Sequence, residues 1–146
     1  MSKKIIGYTT GVFDMFHIGH LRLLNKAKLH CDHLIVGVSS NDLVLEYKKK
    51  LPIIPLEHRL EIVNSLKCVD QVVIQADRDK LKAFHEHGFD IMFVGDDWKG
   101  DPMWIELEKK LAVHNARIEY FKYTEKVSST KFTEILQSIH DNKEGL

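Results

Sequence analysis

Two histidines and a glycine near the start of the chain stand in the order His-x-Gly-His. His17 and His20 are three residues apart, with Gly19 between them, just after an apolar segment that predicts a strand. Both imidazoles are therefore expected on one face at the start of a helix, beside unpaired N–H groups and the positive end of the helix dipole. The pattern predicts an anion site, although the two histidines could instead only cap the helix. A zinc site lacks a third nearby ligand.

Three other segments carry groups that could contact an anion. The two prolines of Lys48–Pro55 predict a basic loop, which could close over phosphates or be a solvated charge run. Ser128–Thr130 precedes a predicted helix and could hold phosphates, cap that helix, or do both. Gly95–Trp98 follows a predicted strand, and its tryptophan could simply pack.

Short apolar segments alternate with segments of helical period, the order typical of a doubly wound parallel sheet. We predict a Rossmann-like five-stranded α/β fold, which places ligands at the carboxyl ends of its strands. The predicted strands are Lys4–Thr9, Leu34–Ser39, Gln71–Ile74, Ile91–Val94 and Ile118–Phe121. The predicted helices are Ile18–His30, a segment from Leu56 to Leu66, Asp79–His87, Met103–Val113 and Ser129–Ile139.

Length and charge narrow the class of protein. The 146 residues suit one domain, with a flexible tail expected over about residues 141–146. With 21 Lys+Arg and 21 Asp+Glu, the balance argues against bulk nucleic-acid binding, so any anion site must be local. The sequence offers no apolar segment typical of a membrane span or signal peptide, which predicts a cytoplasmic protein that does not bind membranes.

Five blocks resemble one known family. They are Gly11–His20, Lys48–Lys50, Glu57–Arg59 with the following Val69-Asp70, Gly95–Trp98, and Thr124–Lys131. Across about Ile5 to Ile139, the chain resembles the cytidylyltransferase branch of the His-x-Gly-His nucleotidyltransferases. The bacterial glycerol-3-phosphate cytidylyltransferases are the most similar group.

The resemblance implies an activity and its substrates. CMP would pass from CTP to glycerol 3-phosphate, giving CDP-glycerol and pyrophosphate. An acceptor phosphate is already ionised near neutral pH, so positioning and charge stabilisation remain for the protein. Mg²⁺ would act through the phosphates, with no direct protein ligand expected. A homodimer is expected from the family.

The resemblance also assigns residues. The catalytic group would be His17, His20 and Lys50, and the acceptor would meet Lys48 and Lys80. The nucleotide would contact Val12, Phe13, Asp14, Gly19, Asp97, Tyr123, Thr124, Ser128, Ser129 and Thr130. Arg59 could neutralise an internal carboxylate or reach the phosphates, and a structural role that ties its helix to loops is favoured.

The chain departs from the family where an arginine usually precedes the Thr124–Lys131 block. Tyr123 occupies that position and cannot form a guanidinium fork. Lys122 would point the other way if the strand continued, and Lys67 replaces another family arginine. These changes leave other functions open. They are transfer of CMP to phosphocholine, phosphoethanolamine or a polyol phosphate, adenylyl transfer from ATP to a sugar phosphate, and a nucleotide-binding sensor without turnover.

Overall fold

A computed structural model describes residues 3–122 and 134–140. Its five strands form one parallel sheet in the order β3-β2-β1-β4-β5. The strands are β1 (Ile6–Gly11), β2 (His33–Ser39), β3 (Gln71–Gln75), β4 (Ile91–Gly95) and β5 (Arg117–Phe121). The helices are α1 (Ile18–Leu29), α2 (Asn41–Lys48), α3 (Leu56–Asn64), α4 (Lys80–His87) and α5 (Pro102–Ala112), with a 3₁₀ turn at Asp96–Trp98. Residues 134–140 are helical.

The strand order reverses beside β1, which lies between β2 and β4. All six β1 residues pair with β2, but only Gly7 and Tyr8 pair with β4. Beyond that point the Thr9 hydroxyl donates to the Phe93 carbonyl at 3.0 Å. The two strands therefore separate toward their carboxyl ends, and a crevice opens at the position where doubly wound sheets bind ligands.

Helices cover both faces of the sheet. On one face, Leu24 and Ala27 of α1 and Val63 of α3 pack against strand residues that include Phe93 and Phe121. On the other face, Trp104 and Leu111 of α5 lie in a separate cluster with Tyr8 and Met92. Burial on both faces explains why β2 and β4 are nearly continuous apolar runs.

The predicted fold class is confirmed, with corrections at several boundaries. The first strand is shifted by two residues toward the carboxyl end, to Ile6–Gly11. Helix α2 was not predicted: Ser40 caps it by accepting from the Leu43 N–H, and it ends at Lys48. Lys48 is therefore helical rather than the first residue of a loop. Among the described residues, no helix is long and apolar enough to cross a membrane.

Candidate active site

The turn between β1 and α1 has a constrained backbone. Phe13 and Met15 adopt φ angles of 55° and 49°, in the left-handed region that non-glycine residues seldom occupy. Such strain persists only where the surrounding structure holds it, and it clusters at functional sites. The two residues flank Asp14, whose carboxylate is turned toward the segment that follows α2.

The imidazoles of His17 and His20 stack at the start of α1, with ring centroids 3.8 Å apart. Nδ1 of His17 accepts from the Gly19 N–H at 3.1 Å, and Nδ1 of His20 accepts from the His17 N–H at 3.2 Å. A neutral imidazole whose Nδ1 accepts carries its proton on Nε2. The helix start thus sets both tautomers and makes both Nε2–H groups donors.

Both imidazoles are neutral at physiological pH. Burial, followed by the adjacent His17, lowers the pKa of His20 to about 4, and the opposing charge of Asp14 only partly offsets this. Burial also lowers the pKa of His17. The Phe13 ring packs edge-on against His20 from the core side. Because each Nδ1 already accepts an N–H group and the lowered pKa values make both rings weak bases, the pair is suited to donate hydrogen bonds rather than to act as general base.

Asp14 fastens the basic segment to this turn. Its two carboxylate oxygens accept the backbone N–H groups of Ile53 and Ile54 at 2.9 and 2.8 Å. Residues 49–55 contain no helix or strand, so these bonds hold the segment in place. The carboxylate is consequently a positioning group for the lysines beside the cavity.

Arg59 has a structural role, as favoured from the sequence. Its side chain is fully buried on α3. The guanidinium donates to the carbonyls of Ile54, Val12 and Ser39 at 2.7–2.9 Å and to Asn41 Oδ1 at 2.7 Å. Four segments meet at this one side chain: the turn after β1, the end of β2, the start of α2, and the loop before α3.

A cavity of about 520 Å³ opens at the carboxyl edge of the sheet. Its wall holds five Lys or Arg side chains but, in the part of the chain that is described, one carboxylate, Asp14. A protein of zero formal charge thus concentrates positive charge here. The five cations are Arg22, Lys26, Lys48, Lys50 and Lys122.

Most of the described residues predicted from the sequence meet at this cavity. The lining includes Val12, Phe13, Asp14, His17, Gly19, His20, Lys48 and Lys50. Asp97 does not line it, but lies exposed in the turn between the lining residues Gly95 and Trp98. Tyr123, Thr124, Ser128, Ser129 and Thr130 lie outside the described residues.

Lys80 is not brought to the cavity. It begins α4 after the edge strand β3, two strands from β1. Burial, and then the neighbouring Arg78, lowers the pKa of its ammonium group. Its assignment to the acceptor stays a prediction, as do the other assignments of roles.

The sequence interpretation missed several lining residues. Arg22 and Lys26 lie one turn apart on α1, and the Lys26 ammonium lies 4.5 Å from the centroid of the Phe121 ring. Strand β5 ends at Phe121, so strand alternation does not turn Lys122 away, and it lines the cavity. The carboxyl end of β5 was the available signal for Lys122. Trp98 and Trp104 stack on each other in the same wall.

A match to a protein-family model identifies the class of enzyme. Residues 8–135 match a family model described as cytidylyltransferase-like. The chain belongs to this family. Family members of this kind are nucleotidyltransferases, so the predicted class of enzyme is confirmed.

The names of similar proteins indicate different products. Glycerol-3-phosphate cytidylyltransferase from Bacillus spizizenii is 39% identical over 99 residues, which are 67% of this chain and 74% of that protein. The enzyme of the same name from Bacillus subtilis is 32% identical over 133 residues, covering 90% and 95%. An FAD synthase from Thermococcus sibiricus is 34% identical over 138 residues, covering 94% and 93%.

A solved structure supports the fold. A lipopolysaccharide core biosynthesis protein from Thermoplasma volcanium superposes with a TM-score of 0.70 at 29% identity. The alignment covers 86% of this chain and all of that one. The cavity of this cytidylyltransferase-like chain lies at the switch point of the shared sheet.

Proposed function

We propose that the chain transfers CMP from CTP to glycerol 3-phosphate, forming CDP-glycerol and pyrophosphate. The observation that carries the proposal is the pair of neutral imidazoles in a cavity with five cations. Such a wall matches a triphosphate and a phosphate monoester, which together bring about six negative charges at neutral pH. Similarity to two Bacillus glycerol-3-phosphate cytidylyltransferases supports this acceptor.

The proposed reaction needs no protein nucleophile. An oxygen of the acceptor phosphate attacks the α-phosphorus of CTP, and the bond from that phosphorus to the oxygen bridging to the β-phosphate breaks. Charge grows on the oxygens of the transferred group and of pyrophosphate. The Nε2–H groups of His17 and His20 would donate there, as preorganised donors that stabilise charge in the transition state. Lys50 would add charge from the segment fastened by Asp14.

The lining fits Mg²⁺ carried by the substrate. Both oxygens of Asp14, the carboxylate in the described wall, accept backbone N–H groups. Mg²⁺ is commonly held through substrate phosphates with few protein ligands, and when bound it would offset phosphate charge. In the proposal, protein cations then position the remaining phosphate oxygens.

Similarity to the Thermococcus FAD synthase favours a second candidate function. FAD carries an adenylyl group, so the corresponding reaction would transfer AMP from ATP to a phosphate acceptor. The same imidazoles and cations would serve, because the proposal assigns them to phosphates rather than to the base. Phosphoethanolamine, phosphocholine, polyol phosphates and sugar phosphates are the other acceptors to compare.

The test is pyrophosphate release in a matrix of nucleotides and acceptors. CTP and ATP are each incubated with Mg²⁺ and glycerol 3-phosphate, or with one of the other phosphate acceptors, and the product is identified by mass. The proposal predicts the highest kcat/KM for CTP with glycerol 3-phosphate. A higher value for another pair would reassign the substrate. Tight CTP binding with no product in any combination would favour the sensor function.

We further propose that the protein forms a homodimer. It would act in the cytoplasm, where nucleotide substrates are available. Ile74 on the edge strand β3 and Ile62 on α3 expose apolar side chains on adjacent elements. Sedimentation of the wild type should give twice the chain mass, and Ile74→Asp should shift it toward the monomer. A monomeric wild type at micromolar concentration would refute the homodimer.

A further inference from the structure

The five cavity cations form two groups on opposite sides of β1. Lys48 and Lys50 follow β2, which neighbours β1 on one side. Lys122 follows β5, which lies two strands away on the other side. We use the name α1–β5 wall for Arg22, Lys26 and Lys122, none of which was assigned from the sequence.

The α1–β5 wall is a coherent group. Arg22 and Lys26 are four residues apart and share a face of α1. Lys26 lies over the ring of Phe121, the residue before Lys122. In residues 3–122 and 134–140, no carboxylate pairs with any of the three cations within 4.0 Å. No described carboxylate therefore neutralises them, and all three side chains line the cavity.

In-line displacement separates two anions in space. The attacking and leaving oxygens lie on opposite sides of the phosphorus that is transferred. If the proposed function holds, the acceptor and the leaving pyrophosphate then need separate positive groups. The cavity has these groups on its two sides, with the imidazole pair at the start of α1.

We propose that the α1–β5 wall binds the β- and γ-phosphates of the nucleotide and holds them as leaving pyrophosphate. This inference rests on the proposed function and assigns one side of its cavity. The acceptor oxygen forms a bond to the α-phosphorus while the bond to the bridging oxygen breaks. The electron pair stays on that oxygen, so pyrophosphate gains charge, which the guanidinium and ammonium groups stabilise. No proton transfer is needed.

The test compares Arg22→Gln/Lys26→Gln with wild type. Inorganic pyrophosphate with Mg²⁺, CTP and CMP are titrated separately by calorimetry, since binding requires no turnover. Each lost charged hydrogen bond should weaken pyrophosphate and CTP binding by roughly tenfold. CMP binding should stay within about twofold, because CMP lacks the β- and γ-phosphates. Thermal unfolding confirms that the variant is folded.

Two further variants make the comparison specific. Lys110→Gln removes an exposed charge from α5 and should leave all three affinities unchanged. Arg22→Lys/Lys26→Arg keeps both charges and should restore most of the pyrophosphate affinity. In steady-state assays, the product-inhibition constant of pyrophosphate should rise in the glutamine variant, while the KM of the acceptor stays constant.

Different results would refute the assignment of the α1–β5 wall and the proposed function. An active wild type whose glutamine variant binds pyrophosphate normally would overturn the wall's assignment and leave the reaction intact. A raised acceptor KM with unchanged pyrophosphate binding would instead place the acceptor on this wall, also overturning it. A wild type that forms no product with any acceptor would refute the proposed function, whatever the calorimetry shows.

Discussion

Charged side chains at the amino and carboxyl ends of the strands serve different purposes. At the amino edge, carboxylates accept backbone N–H groups near the starts of β1 and β2. Asp32 accepts from Ile5 at 2.8 Å, and Asp90 accepts from Ile6 at 2.8 Å. Asp70 accepts from Leu34 at 2.7 Å and pairs with Lys28. These carboxylates therefore stabilise the fold.

At the carboxyl edge, the charge faces a cavity. Its five cations have one carboxylate among them in the described wall, and both oxygens of that carboxylate accept backbone N–H groups of a loop. The comparison shows how a chain of zero formal charge makes a local anion site. Acidic groups stabilise one edge of the sheet, which leaves basic groups and imidazoles for a ligand at the other.

The largest expected effect is a loss of stability when Arg59, which joins the segments at the carboxyl edge, is replaced. Arg59→Met leaves the carbonyls of Val12, Ser39 and Ile54 without their buried donor. Unfolding free energy should fall by at least about 3 kcal/mol, because buried unsatisfied acceptors cost roughly 1–3 kcal/mol each. Urea denaturation measures this, and Arg59→Lys should lose less. A loss below 1 kcal/mol in Arg59→Met would refute the bracing role.

The imidazole pair should affect catalysis more than stability. His17→Ser keeps a side chain that can cap α1 but removes the imidazole, and His20→Ala removes the second ring. Each should lower kcat by about 10²–10³-fold, the usual cost of losing one preorganised donor. Pyrophosphate release measures kcat, and His58→Ala, which changes an exposed histidine on α3, is the control. An active His17→Ser/His20→Ala protein would remove the mechanism.

Removing an acidic group from the amino edge should lower stability and leave catalysis unchanged. Asp90→Ala leaves the Ile6 N–H without its charged acceptor and should lower unfolding free energy by about 1–2 kcal/mol. Asp90→Asn keeps an acceptor oxygen and should lose less. The kcat/KM of both variants should equal that of wild type. A drop in kcat/KM without a change in stability would contradict the division between the edges.

The smallest expected effect is a pH dependence of stability that arises from His20. Its pKa of about 4 lies below that of an unfolded histidine, near 6.5. Between these values the unfolded chain binds more protons than the folded one, so stability falls as pH is lowered from 6.5 to 4. The contribution near pH 5 should be about 1 kcal/mol after solvent screening. Denaturation curves for His20→Ala should lack this part of the slope, and an unchanged slope would refute it.

The sequence predicted the sheet and the imidazole turn because local patterns determine both. Alternating apolar segments and helical period gave all five strands, and the position of His17 after β1 identified the carboxyl edge. Helix α2 was not predicted, although Ser40 is a good N-cap, and the predicted loop began at Lys48, which is the last residue of that helix. Its buried residues, Leu43 and Val44, are too few to show a period.

The α1–β5 wall could not be found by pattern alone. Arg22 and Lys26 lie on the polar side of an amphipathic helix, which usually faces solvent. Their exposure to the cavity depends on how α1 lies beside β5, a tertiary relation between segments about 95 residues apart. The roles of Asp14 and Arg59 are likewise set by partners distant in sequence, such as Ile54 for Asp14 and Val12 for Arg59.

The most direct test of the account is an ¹⁵N NMR titration of the histidine side chains with CTP and Mg²⁺. The account predicts that His17 and His20 are neutral with Nε2 protonated at pH 7, and that CTP shifts both Nε2–H signals. An exposed histidine such as His58 should not respond. Saturating binding of CTP that leaves both signals unmoved, or Nδ1-protonated rings in the free protein, would contradict the claim that this pair donates to the nucleotide.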